Sequence, residues 1–156
     1  MKPSAEDHEA IHANPVWRAQ VNLIFGTFLG ARNGRREWEQ LWGQKTTANR
    51  CIVCCIPFFA YDLSLGDEVE LDSDFALKCV VGRSGYSTFR VWLGGQPPLH
   101  HAEFLEQLRR FPVLCEWSSE NLVAINVFQT SDAESLTDFL ASMEIAGKLS
   151  VEAGQT

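Results

Sequence analysis

Bulky apolar residues come along this chain in short runs, and the spacing within each run predicts an element. Residues 1–14 are polar and without period, so they are expected to form a flexible tail ending at Pro15. In residues 16–25, Val16, Trp17, Val21, Leu23, Ile24 and Phe25 are β-branched, aromatic or bulky, which predicts a strand. Gly26, Gly30 and the Asn33-Gly34 pair then break the pattern. Trp38, Leu41 and Trp42 recur at i, i+3 and i+4, the spacing of a short helix with two indoles on one face, laid over the mouth or side of a sheet. Residues 50–59 are the most apolar stretch and read as a central strand, ended by Pro57, which cannot donate to a ladder. Three more strands follow, at 68–71, 75–82 and 88–93, with Arg83-Ser84-Gly85-Tyr86-Ser87 as a hairpin turn between the last two.

After Gly94-Gly95-Gln96-Pro97-Pro98 the period lengthens. Phe104, Leu105, Leu108 and Phe111 share one face of a helix that Pro112 stops. Residues 114–117 and 122–128 read as a hairpin, and Ser131 with Glu134 as the capping box of a helix whose apolar stripe is Leu136, Phe139, Leu140 and Met143. Gly147 stops it, and residues 149–151 add a terminal strand. The expected fold is α+β: a curled, mostly antiparallel sheet or partial barrel, then an α-β-β-α-(β) ferredoxin-like half. The expected organisation is a tail at 1–14 and one globular domain at 15–153, divided into a β-rich half (15–96) and an αββα half (97–153).

Composition narrows the class without naming it. With 46% apolar and 21% charged residues among 156, the chain is neither disordered nor a disulfide-stapled miniprotein. The longest strongly apolar run, residues 51–61, contains Pro57 and falls short of the roughly 20 residues that cross a bilayer. The N-terminus is acidic and polar where a signal peptide is basic and apolar, so a cytoplasmic protein with no membrane contact is expected. Five cysteines, an odd number clustered at Cys51, Cys54 and Cys55, are expected to stay thiols. A net charge of −7 argues against nucleic acid, despite Arg32, Arg35 and Arg36 near Trp17, Trp38 and Trp42. That charge is uneven. Residues 1–50 carry seven basic and five acidic side chains, residues 51–156 six and fifteen. Asp62, Asp67, Glu68, Glu70, Asp72 and Asp74 fall within thirteen residues that hold no Lys or Arg.

Candidate chemistry is sparse. Cys51-x-x-Cys54-Cys55 has the spacing of a zinc or redox pair, but strand alternation sends Cys54 to the opposite face from Cys51 and Cys55. Buried thiols are therefore expected, with no metal and no cofactor. His100 and His101 are neighbours on a helix and point about 100° apart, which suits surface residues better than ligands. No Walker loop, Gly-x-Gly-x-x-Gly or His-Glu-x-x-His occurs, and no catalytic set is assigned. Arg83, Ser84, Tyr86, Thr88 and Arg90 do gather donors around one turn, a candidate anion or ligand loop.

Several segments together resemble a known bacterial family. These are Trp42, Ile56-Pro57-Phe58-Phe59-Ala60, Leu65-Gly66-Asp67-x-Val69, Ser84-Gly85-Tyr86-Ser87-Thr88-x-Arg90-Val91 and Leu122-Val123-Ala124-Ile125. The family is the domain of unknown function numbered 4265, and the likeness covers residues 16–153, with Tyr86 standing where the family pattern leads us to expect histidine. The resemblance implies a small bacterial cytosolic protein of the kind found among stand-alone accessory or immunity genes. On the charge pattern, the expected function is a non-enzymatic protein-binding module: an immunity protein that occludes the active site of a cognate, basic toxin. Its contact residues would be Asp62, Asp67, Glu68, Glu70, Asp72 and Asp74, with Trp38 and Trp42 as aromatic anchors. The alternative is a small-ligand-binding protein or enzyme using a pocket between the two halves.

Overall fold

Two sheets and two helices make up the computed structural model, which describes residues 1–95 and 98–153. The first sheet contains β1 (His8–Ala10), β2 (Leu23–Arg32), β3 (Arg35–Thr47), β4 (Arg50–Val53), β5 (Glu68–Leu71) and β6 (Leu77–Gly82). The second contains β7 (Ser87–Trp92), β8 (Val113–Trp117), β9 (Leu122–Val127) and β10 (Ser150–Ala153), in the order β10-β7-β9-β8. Helices α1 (Pro98–Leu108) and α2 (Thr130–Ile145) complete the chain. The fold is mixed α+β, as the hydrophobic pattern predicts. The boundary expected at 96/97 falls outside the described residues.

Strand β3 organises the first sheet. It pairs antiparallel with β2 through a two-residue turn at Asn33-Gly34, both at positive φ (53° and 75°), the geometry that matches strand twist. Its other edge takes β1 in parallel at Glu37–Glu39 and β4 from Gly43 to Thr47. The helix expected around Trp38, Leu41 and Trp42 is thus the middle of a strand. Its pattern misleads because β3 is covered on both faces: Trp38 and Leu41 are both fully buried, so apolar residues appear on both parities. The tail expected at 1–14 contributes β1 and the buried His12. The strand expected at 16–25 begins only at Leu23, after a 3₁₀ turn at Arg18–Gln20. The sheet curls until the Phe75 carbonyl accepts the Gly26 N–H (3.0 Å), stopping short of a closed barrel.

The central strand expected over 50–59 ends at Val53, and residues 54–67 run on as an irregular strap between the two sheets. No hairpin joins β6 and β7 either. Residues 83–86 carry the chain from one sheet to the other, because Asp67 on the strap captures the Ser84 N–H (2.8 Å) and the Arg83 guanidinium (3.3 Å). In the second sheet, alternation divides the side chains cleanly. Phe89, Val91, Val123, Ile125 and Val127 face the helices and pack with Phe104, Leu108, Leu136, Leu140 and Met143. The opposite parity carries Thr88, Arg90, Ala124 and Glu116 to the strap. Helix α2 starts at Thr130, with Gln129 as a cap that makes no side-chain bond, so Ser131 lies inside the helix and the expected capping box does not form.

Candidate functional site

Five charged side chains are buried where the sheets meet the strap: Asp67, which holds the Arg83–Ser84 passage, and His12, Glu39, Arg90 and Glu116, each at most 4% exposed. Glu39 shares its strand face with Leu41 and Gly43, so alternation alone drives it inward. Its Oε1 accepts the Phe58 N–H (2.6 Å), and its Oε2 accepts those of Phe59 (3.0 Å) and Ala60 (2.8 Å). From the second sheet, Arg90 donates Nε to the Phe58 carbonyl and Nη2 to the Ala60 carbonyl, both at 2.7 Å. The backbone at residues 58–60 is therefore held by a carboxylate through its N–H groups and by a guanidinium through its carbonyls. Pro57, read from sequence as a strand end, sits directly before this grip.

His12 joins the two carboxylates. Its Nε2 lies 2.8 Å from Glu39 and its Nδ1 2.8 Å from Glu116, while its ring stacks on Phe58 with centroids 4.0 Å apart. Glu116 also accepts the Ile56 N–H. Burial is the largest single influence on His12 and opposes its charge, but the hydrogen bonds to Glu116 and Glu39 and the attraction of their charges together outweigh it and raise the pKa above the ordinary value. The imidazolium donates from both nitrogens. Two positive and two negative groups then balance, and each buried charge has a compensating one nearby.

This grip sets the direction of the side chains on either side of it. Phe59 and Tyr61 project outward, 39% and 68% exposed, and Trp92 on β7 joins them at 49%. Together with Arg90 and Glu152 they line a groove of about 360 Å³ at the junction of strap and second sheet. A second groove of about 470 Å³, lined by Trp38, Leu29 and Arg32, lies on the other side of Phe59 and Tyr61. The Tyr61 hydroxyl donates to Glu152 (3.0 Å), and its ring lies 5.4 Å from the Arg90 guanidinium carbon. The phenol's pKa is raised, mainly by that hydrogen bond.

A family model described as domain of unknown function (DUF4265) matches residues 39–151, a span holding Glu39, Arg90 and Glu116. The chain belongs to this family. Among solved structures, the DUF4265 chain is similar to a hypothetical protein from Neisseria gonorrhoeae, with a TM-score of 0.70 and 20% identity over 83% of this chain and 91% of that one. At that identity the likeness speaks for the fold alone. No curated protein matches the chain.

The residues singled out from sequence scatter over the DUF4265 structure. Trp38 is fully buried, its Nε1 donating to Asp7 (3.0 Å), and Trp42 is half-buried, so neither stands out from the surface as an anchor. Asp67 is 1% exposed and spent on internal bonds to Ser64, Ser84 and Arg83. The acidic run also has basic neighbours that its own sequence lacks: Arg83 beside Asp62 (2.9 Å), Lys78 and the paired Arg50 beside Glu70, and the Met1 amine 3.1 Å from Asp74 and 3.6 Å from Asp72. Glu68 accepts from Thr46 (3.0 Å). The candidate ligand loop divides as well. Thr88 bonds Ser64 inside the protein, Ser84 caps Tyr86, and Tyr86 packs edge-on against Phe128, while Arg90 reaches the 360 Å³ groove.

The three clustered cysteines are buried thiols as expected, but not through strand alternation: β4 ends at Val53, and Cys54 and Cys55 begin the strap. Cys51, Cys54 and Cys55 are buried, and burial pushes Cys51 up to about 12, Cys54 to about 11 and Cys55 well above the ordinary range. Protonated thiols of this kind are poor nucleophiles. His12 was passed over in sequence because it lies in a polar, aperiodic stretch. The available signal was in its partners: Glu39 and Glu116 are charged residues on the inward parity of apolar strands.

Proposed function

We propose that this DUF4265 protein is a non-enzymatic binding module that presents Phe59, Tyr61 and Trp92 to a protein partner. The observation that carries this reading is the rigid mounting of exposed aromatic side chains on a backbone gripped from both sheets. Exposed aromatics on a fixed support are the side chains that dominate interface energies, because little conformational freedom is lost when they are covered. The specific form is an immunity protein that covers the active site of a cognate basic toxin in the bacterial cytoplasm. In support stand the net charge of −7, the concentration of acid after residue 50, and five unpaired thiols suited to a reducing compartment. Glu68, Glu70 and Asp74 contribute to association rate by long-range attraction rather than by direct contact. The strand order β10-β7-β9-β8 supports reading the second half as a ferredoxin-like unit with both helices on the face away from the strap.

The test is direct binding to the protein encoded beside this gene, by calorimetry at two salt concentrations. Replacing Phe59, Tyr61 and Trp92 one at a time by alanine is expected to weaken binding by roughly 30-fold or more for at least one of them, with an unchanged circular dichroism spectrum. The triple variant E68K/E70K/D74K should slow association at low salt and leave the dissociation rate alone. Full affinity in all three alanine variants would remove the aromatic surface from the interface, and failure of the neighbouring protein to bind would remove the immunity reading.

A further inference from the structure

Arg90 is 4% exposed, yet its two hydrogen bonds take up only two of its five N–H hydrogens. Nε and one Nη2 hydrogen go to the Phe58 and Ala60 carbonyls, and among the described residues Nη1 has no hydrogen-bond partner and the guanidinium no carboxylate within ion-pair distance. Unpaired donors on a buried guanidinium are costly unless something else takes them up. Arg90 forms part of the 360 Å³ groove whose walls are Phe59, Tyr61 and Trp92. Tyr61, 68% exposed and tied to Glu152 by its hydroxyl, lies over the guanidinium, so a ligand that reaches Nη1 must displace this ring and its one exposed hydrogen bond.

We propose that this groove is a binding site for a small, flat, uncharged aromatic molecule carrying a carbonyl oxygen, which accepts from Arg90 Nη1 while its ring lies among Phe59, Tyr61 and Trp92. The volume sits at the small end of ligand pockets, about 300–1,000 Å³, and suits one or two rings. Charge decides between a neutral and an anionic acceptor. His12 and Arg90 already balance Glu39 and Glu116, and the Glu152 carboxylate stands at the rim. A carboxylate ligand would leave the cluster negative and face Glu152, whereas an amide or ketone oxygen uses the free hydrogens and adds no charge. The groove shares Phe59, Tyr61 and Trp92 with the proposed docking surface, but small-molecule binding by the isolated chain does not rest on that reading.

Benzamide and benzoate, matched in shape and differing in charge, are the probes, titrated into the full chain at millimolar concentration and followed by saturation-transfer NMR. Benzamide is expected to bind, benzoate at least about tenfold more weakly, and W92A to lose benzamide by about tenfold while keeping its circular dichroism spectrum. R90K, which keeps the charge and removes the forked donor, should lose benzamide to the same degree; if it does not fold, W92A decides. Equal binding of the two probes would overturn the neutral-acceptor assignment. Undiminished benzamide binding by W92A, or none by the wild-type chain, would overturn the site. The outcome is separable from toxin capture, which uses no small probe.

Discussion

A histidinium between two buried carboxylates is a poor source of net stability and a severe loss when removed. Taking such charges out of water costs about as much as their attraction returns, but deleting one member strands the others. His12→Gln is therefore expected to destabilise the protein by roughly 3–5 kcal/mol, read from urea unfolding. The pH dependence follows from the raised pKa of His12. The folded state holds its proton more tightly than the unfolded chain does, so the stabilisation is complete below about pH 6.5 and is lost as pH rises through the folded value. Wild-type stability should fall as pH rises above about 6.5, and H12Q should be nearly flat over the same change; equal slopes would refute the charged imidazole. The buried thiols act in the same direction, but only above about pH 8.5. At this scale the burial of Cys51, Cys54 and Cys55 was legible, whereas Arg90 was read as a ligand-loop donor although its inward parity within β7 could be counted. The sequence was silent on His12, whose partners lie 27 and 104 residues away.

Among the elements, β3 shows how closely backbone and side chain can be fitted. A Cβ on Gly43 would lie 2.9 Å from Cys51 Sγ, 3.1 Å from the Ile52 carbonyl and 3.2 Å from a Phe25 ring carbon. The carbonyl belongs to the neighbouring strand and cannot yield alone. Gly43→Ala should cost roughly 1–3 kcal/mol by thermal or urea unfolding, despite the usual gain from replacing glycine in a strand; an unchanged midpoint would show that β4 moves freely. The same strand explains the largest misreading. Apolar residues at 38, 41 and 42 satisfy a helical period, and nothing local reveals that both faces of a strand are covered. Elements β7, β9 and α2 were read to within a residue or two, although β7 and β9 are likewise buried on both faces. The capping box failed for a related reason: Ser and Glu three apart describe a helix start, but the Gln129 carbonyl already accepts the Ala133 N–H (3.0 Å) and begins the helix earlier.

Across the whole molecule, an irregular strap takes the place that a layer of regular structure would fill between two sheets. Its backbone donors go to side chains: Ile56 to Glu116, and Phe58, Phe59 and Ala60 to Glu39. Hydrogen exchange should therefore find the amides of Ile56, Phe58 and Ala60 as protected as those of β9, although they lie in no strand. Exchange at loop rates would mean that the grip opens locally. The αββα order and the curled first sheet could be read from periodicity, whereas the passage of residues 83–86 between sheets depends on Asp67, a contact no local pattern encodes. The span from His12 to Glu116 also has a meaning in time. On a ribosome the imidazole emerges 104 residues before its second carboxylate, roughly 5–20 s at ordinary synthesis rates. For most of that interval the nascent first sheet has Glu39, which follows 27 residues behind His12, but not Glu116 or, until late, Arg90. The newly made half must wait with its N-terminal segment incompletely fastened, open to chaperones and proteases, until the last third of the chain arrives to close it.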